Sequence, residues 1–288
     1  MSTTIPATEK VDSGSIDWEL VRRQFGGILR MELRGTLLSK RMLAVLFLAF
    51  APVALVAVWV FTPMPQAMDG GPMDSVRIFS VFFVLYLGVS VFLSCLILFM
   101  SMFRNEIQER TLHYYYLSPV PREVVVVAKY LAGQAAALGT FIVGTAIFYL
   151  LIVSPWGLDE LSRHMIRGPG FGNLTTYVGL SVLGCLGYGA IFLLAGLLIR
   201  NPVVVAIVVW AWEGLVPLLP VALKKLTITH YLQSMYPVPV AAKQFFAVFA
   251  EPTPGYLAVP GLLLVSTLLL ALSCWRARAM EIKYGGED

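Results

Sequence analysis

Charge is scarce in this chain: Asp, Glu, Lys and Arg make up 13% of its 288 residues, about half the share of an ordinary soluble domain. With 58% hydrophobic residues and a mean hydropathy of +0.78, that scarcity excludes a water-soluble globular class. It points to an all-α polytopic membrane protein. Cysteine is nearly absent. Cys95, Cys185 and Cys274 each fall inside an apolar run, so neither a disulfide framework nor a zinc cluster is expected. No Arg/Lys-rich tract with interleaved aromatics is present, which removes nucleic acid as a partner. A Gly-x-x-x-x-Gly-Lys-Ser/Thr phosphate loop, a His-Glu-x-x-His pair and a Gly-x-Ser-x-Gly elbow are all missing. His113, His164 and His230 have no metal-ligand spacing and read as interfacial histidines. Neither a catalytic residue nor a metal ligand is expected, and a membrane-embedded enzyme has no supporting motif.

Long apolar runs are what the chain does have. About 20 apolar residues cross roughly 30 Å of hydrocarbon, and that ruler gives six spans, near residues 42–61, 78–103, 124–153, 175–199, 202–223 and 257–275. Six spans put both termini on one side. Fifteen of the 21 Lys and Arg residues lie on that side, so the termini are expected in the cytoplasm. The first 40 residues hold five acidic groups and no short apolar core with a small-residue cleavage site, and so are not read as a secretory signal.

Residues 1–14 read as a disordered tail, and residues 39–288 as the six-span domain. Between them, over 15–38, Trp18, Val21, Phe25, Ile28 or Leu29, and Leu33 recur at three- and four-residue steps, while Arg22, Arg23, Arg30 and Arg34 take other faces. This predicts an interfacial helix, its basic face suited to anionic lipid headgroups and its apolar face to the acyl boundary. A helix packed on a partner protein fits the same pattern.

Within the spans, Ala128, Ala132, Ala136, Thr140 and Gly144 form a small-residue stripe, and Ser181, Cys185 and Gly189 another. Such faces let helix backbones approach closely, and generic intramembrane packing is the plainest reading. Residues 224–255 are too polar to span and too apolar for a floppy loop. Two short helices dipping into the outer leaflet, broken around Tyr236, Pro237 and Pro239, are expected there, with an ordinary folded outer loop as the alternative.

Two polar features interrupt the apolar pattern. Glu213 stands beside Trp210 and Trp212, roughly 18 Å in from Asn201 at 1.5 Å per residue. An ionisable group at that depth is expensive, so it reads either as part of a substrate path with the two tryptophans, or as a group near the outer mouth or hydrogen-bonded in packing. The second feature is the link at residues 104–122. Glu106 and Arg110 stand four apart in the order that favours a helical ion pair. Tyr114, Tyr115 and Tyr116 supply amphipathic rings, Pro119 halts the element, and Pro121 can open the next helix at its first position.

Glu106-x-x-Glu109-Arg110-Thr111-Leu112, five residues, Ser118-Pro119-Val120-Pro121-Arg122, then Ala128-Lys129-Tyr130-Leu131-Ala132 resembles the signature of the type-2 permease family of ATP-binding-cassette (ABC) transporters. The interfacial helix, six spans and paired outer helices are similar to that family's architecture over the whole chain. One departure is Arg110, where many relatives carry glycine. The resemblance implies a permease without its own ATPase activity, its ATP and Mg bound by a separate nucleotide-binding subunit present in two copies. It implies a second permease copy and a membrane lipid environment, in a bacterial or archaeal cytoplasmic membrane. It makes 105–119 a coupling helix, with Glu106, Glu109, Arg110, Thr111, Leu112, Tyr115, Pro119 and Arg122 as the contact with the ATPase. The expected activity is export of a hydrophobic or amphiphilic substrate. The competing reading is a membrane scaffold that recruits an ATPase without moving anything.

Overall fold

In the computed structural model, residues 18–62, 72–108, 121–199, 201–215, 223, 227–238 and 254–279 are described. Every regular element among them is helical. Helix α1 (Trp18–Leu37) occupies the predicted interfacial segment and stops where Ser39 Oγ turns back to the Thr36 carbonyl at 2.7 Å. Its arginines Arg22, Arg23, Arg30 and Arg34 are exposed, whereas Phe25, Ile28, Leu29 and Glu32 are half-buried. The half-buried face packs chiefly on α6 (Arg122–Val153). Much of the apolar face expected to meet acyl chains therefore meets the protein itself.

Five helices are long and apolar enough to cross a membrane: Lys40–Val60, Asp74–Arg104, Arg122–Trp156, Gly170–Leu198 and Gly255–Ala279. They match five of the six expected spans to within a few residues. The first is α2 (Lys40–Val60), which continues through Pro52, as bilayer helices tolerate. The expected span at 202–223 is represented by a shorter helix, α9 (Pro202–Gly214), and residues 216–222 lie outside the described residues.

The second crossing is composite. It runs as α3 (Pro72–Leu85), a π-helical stretch Tyr86–Val91, α4 (Phe92–Cys95), a second π-helical stretch Leu96–Met100, and α5 (Ser101–Gln108). Leu85 and Val89 are exposed and Leu93 and Ile97 only half-buried, while nearly everything between them is buried. Those outward positions recur every four residues. A regular α-helix would drift about 40° at each such step, and the wider π turns absorb the drift, keeping a broad face turned inward.

That face meets α6 and α8 (Gly170–Leu198), and both predicted small-residue stripes are buried. Ala128, Ala132, Ala136, Thr140 and Gly144 are all buried on α6, and Ser181, Cys185 and Gly189 on α8. Thr145 and Ser181 bond across at 2.7 Å, and Gln134 Nε2 donates to the Cys185 carbonyl at 2.9 Å. Gly189 has no room for a Cβ against Gln134 and Phe99. Both stripes thus serve packing inside one chain, where each interhelical hydrogen bond is worth about 0.6 kcal/mol.

Away from the link, the core becomes aromatic. Phe79 lies 4.7 Å from Tyr177 and 4.8 Å from Phe148 between ring centroids, and Ser80 Oγ and Tyr177 Oη are 2.5 Å apart. Gly157, at φ 88°, turns the chain into α7 (Leu158–Ile166), a left-handed backbone that glycine adopts without strain. There His164 is buried, its Nε2 3.1 Å from Tyr149 Oη. The close approach of Gly168 and Gly170 to His164 leaves no space for side chains.

Candidate functional site

The link joins the composite helix to α6. Glu106 falls within α5. Glu109, Arg110, Thr111, Leu112, Tyr115 and Pro119, with the tyrosines on either side of Tyr115, lie outside the described residues. Pro121 does not open α6 at its first position as expected. It occupies the capping position, with ψ 133°, and Arg122 is the first helical residue. A cap needs extended backbone, which proline supplies while its missing donor costs nothing.

Described side chains on the far side of the link bind it to three helices. Lys129, on the second turn of α6, has a fully buried side chain whose Nζ meets Glu32 Oε1 of α1 at 2.5 Å. The same ammonium lies 5.6 Å from the centre of the Phe103 ring on α5, a cation–π distance. Arg122 Nη1 donates to the Arg278 carbonyl at 2.9 Å, and the Arg278 guanidinium pairs with Glu123. Both arginine contacts reach α11 (Gly255–Ala279). Arg41, on α2, reaches the Ser101 carbonyl more loosely, at 3.4 Å. The first two turns of α6 are thus fastened to α1 and to α11, and a displacement of the link would reach both.

The tryptophans and the acid on α9 do not share a surface. Asn201 caps this helix by accepting from the Val203 N–H at 2.9 Å, and Pro202 sets its first turn. Trp210 and Trp212 turn outward, 64% and 37% exposed, beside Val203, Ile207 and Val208. Glu213 turns inward and is 8% exposed. Its Oε1 accepts from Ile228 N at 3.1 Å and its Oε2 from Thr229 N at 2.8 Å. Those donors open the short helix α10 (Ile228–Ser234).

The local chemistry accounts for this arrangement. A helix leaves its first N–H groups without internal acceptors, and Thr227 at the cap position of α10 makes no side-chain cap bond. Ile228 is wedged against Gly187 of α8, where a Cβ would stand 2.7 Å from Ile228 Cδ1. Gly187 lies roughly 16 Å along its helix from Leu198, as deep as Glu213 is along α9. Orphan donors at that depth have no water to satisfy them. The Glu213 carboxylate satisfies them, and the helix dipole favours its charge. Tyr188 Oη adds a contact to Thr229 Oγ1 at 3.2 Å, and Tyr231 packs flat on Gly261 of α11.

Sequence reasoning singled out Glu213 for its depth but not its partners, which are backbone groups fifteen and sixteen residues away. Lys129 was read as part of a motif. Its pairing with Glu32 was unannounced, although a lysine inside an apolar helix was a sufficient signal to seek an acid. Among the described residues, no group of His, Cys, Asp and Glu could hold a metal ion. No family model matches the chain, and no curated protein matches it either.

Proposed function

We propose that this chain is the membrane-spanning permease subunit of an ATP-driven ABC-type exporter. In this reading α9 and the residues after it complete a sixth crossing, α10 is the first of two helices re-entering from the outer face, and both termini are cytoplasmic. Two copies of the chain meet around a central path, and two ATPase subunits dock on the link at 105–119. ATP bound between the ATPases draws them together, and the link passes that movement into α5 and α6. The ligand's differential affinity for the closed state supplies the work.

The observation that carries the reading is the fastening of the link's far end. A polar, tyrosine-rich segment between two crossing helices is followed at once by Lys129–Glu32 and Glu123–Arg278, which connect it to α1 and α11. A passive loop needs no such connections. The outward apolar face of α9, with Trp210 and Trp212, suits an amphiphilic cargo approaching from lipid.

Co-reconstitution of the chain with its partner ATPase in vesicles, using a fluorescent amphiphilic dye as cargo, tests the proposal. ATP-dependent dye movement supports it. Tight ATPase binding with no movement of dye or fluorescent phospholipid would favour the scaffold, and dye movement without ATP would refute the coupling.

A further inference from the structure

The two π turns in the second crossing set Tyr86–Met100 apart, since among the described residues no other helix contains one. A π turn holds one residue more than the α-helix around it, with bonds reaching five residues back; the Phe92 N–H, for example, contacts the Leu87 carbonyl. The two turns are not equally confined. The second is locked, because Gly196 lies against the Met100 backbone, 3.1 Å from a virtual Cβ, and Gly133 and Gly189 leave no room beside Phe99. The first is held at its start, where Gly144 leaves no room beside Tyr86 Oη, and is looser after it: Gly184 stands 3.6 Å from Leu87 and Val91 even with a Cβ added, and a Cβ on Gly88 would meet nothing within 4 Å.

The helix is fixed before the first turn by the Ser80–Tyr177 bond and within the second by Met100 against Gly196. A surplus residue cannot be expelled under those conditions, but it can move along. In the α turn between, Ser94 Oγ is buried with no hydrogen-bond partner, whereas Ser80, Ser266 and Ser273 each bond the carbonyl four residues back. The present register therefore leaves a polar group unsatisfied in the stretch that a migrating turn would cross.

We propose that the π turn at Tyr86–Val91 is a register switch that migrates toward Met100, turning each residue it passes by about 100°. Both ends of the crossing stay in place while Ser90, Val91, Phe92 and Ser94 exchange the faces they show to α8. Phe92, now 5.4 Å from the Tyr188 ring and 5.0 Å from Phe192, would leave one aromatic neighbour for the other. Because Tyr188 contacts Thr229 of α10, the switch would connect the middle of the crossing to the helix that Glu213 holds. The proposal stands on geometry within one chain and does not need the transport reading.

Register shifts occupy the microsecond-to-millisecond range, where relaxation dispersion is the sensitive probe. The experiment uses the full chain in lipid nanodiscs with labelled Ile, Leu and Val methyls. Leu87, Val89, Val91 and Leu93 are expected to show dispersion, and Leu138, Ile142 and Val143 on α6 to show none. Deletion of Val89 removes the surplus residue and abolishes the dispersion. Gly184→Ala places a methyl in ordinary contact with Leu87 and Val91, so it folds even where the deletion does not, and it suppresses the dispersion too. Flat profiles at Leu87 and Val91 in the unaltered chain, or dispersion unchanged in Gly184→Ala, would overturn the proposal.

Discussion

Lys129 and Glu213 are both buried ionisable side chains on apolar helices, and the protein satisfies them by different means. Lys129 sits two turns from the start of α6, within reach of an acid on α1, and is paired charge to charge. Glu213, one residue from the C-terminal end of α9, has no cation among its hydrogen-bond partners and uses the open N–H groups at the start of α10 instead. A buried charge can be met by a countercharge on a flanking element or by the open start of a neighbouring helix, and in the second case the acid and the helix it caps specify each other.

The largest effect is expected at the charged pair. Lys129→Met leaves Glu32 facing an apolar site and should lower stability by about 3 kcal/mol, whereas adding Glu32→Leu should return most of it, since an apolar pair of similar volume often replaces a buried ion pair without loss. Thermal unfolding in detergent measures both. If the double variant were no more stable than the single one, the pair would matter for something other than charge. Glu213→Gln keeps one acceptor but turns an amide donor toward a backbone N–H. A cost of about 1–3 kcal/mol follows, with increased protease access at residues 227–238. A variant as stable as the parent would mean that Glu213 does not hold α10.

Smaller effects belong to the exposed groups. The Arg278 and Glu123 side chains are 64% and 34% exposed, so Arg278→Ala should lower the unfolding temperature only slightly, and less at high salt. A large, salt-independent loss would contradict a screened surface pair. His164 carries a pH signature. Burial holds its imidazole below the ordinary value of 6.5, so the unfolded chain binds the proton more readily. Stability from this site is complete above about pH 6.5 and falls as acid titrates the unfolded state and then the folded one. His164→Gln, which can still bond Tyr149, should flatten that portion of the stability–pH curve. An unchanged curve would assign the dependence to other groups.

Five crossings were legible because each is a long apolar run, and the bilayer ruler needs nothing more. The π turns were not, because Leu85, Val89, Leu93 and Ile97 are as apolar as the residues they alternate with. Where outside and inside are both hydrocarbon-like, periodicity loses its contrast. Glu213 was legible as an anomaly, but its partners are backbone donors that no side-chain pattern marks. His164 read as an interfacial residue because its burial comes from Gly168 and Gly170, whose missing side chains admit the ring. The small-residue stripes are buried within the chain, and their spacing alone marks a face for close approach. The link motif was visible in sequence, and Lys129 shows where part of it is spent: in fastening α6 to α1.

The proposed role of the link is tested most directly by reversing both of its acids, Glu106→Lys with Glu109→Lys, and measuring ATP hydrolysis and dye movement in vesicles containing the chain and the proposed partner ATPase. Loss of ATP-driven movement, with the chain still inserted and its unfolding temperature unchanged, is the expected result. Coupling equal to that of the unaltered chain would contradict it.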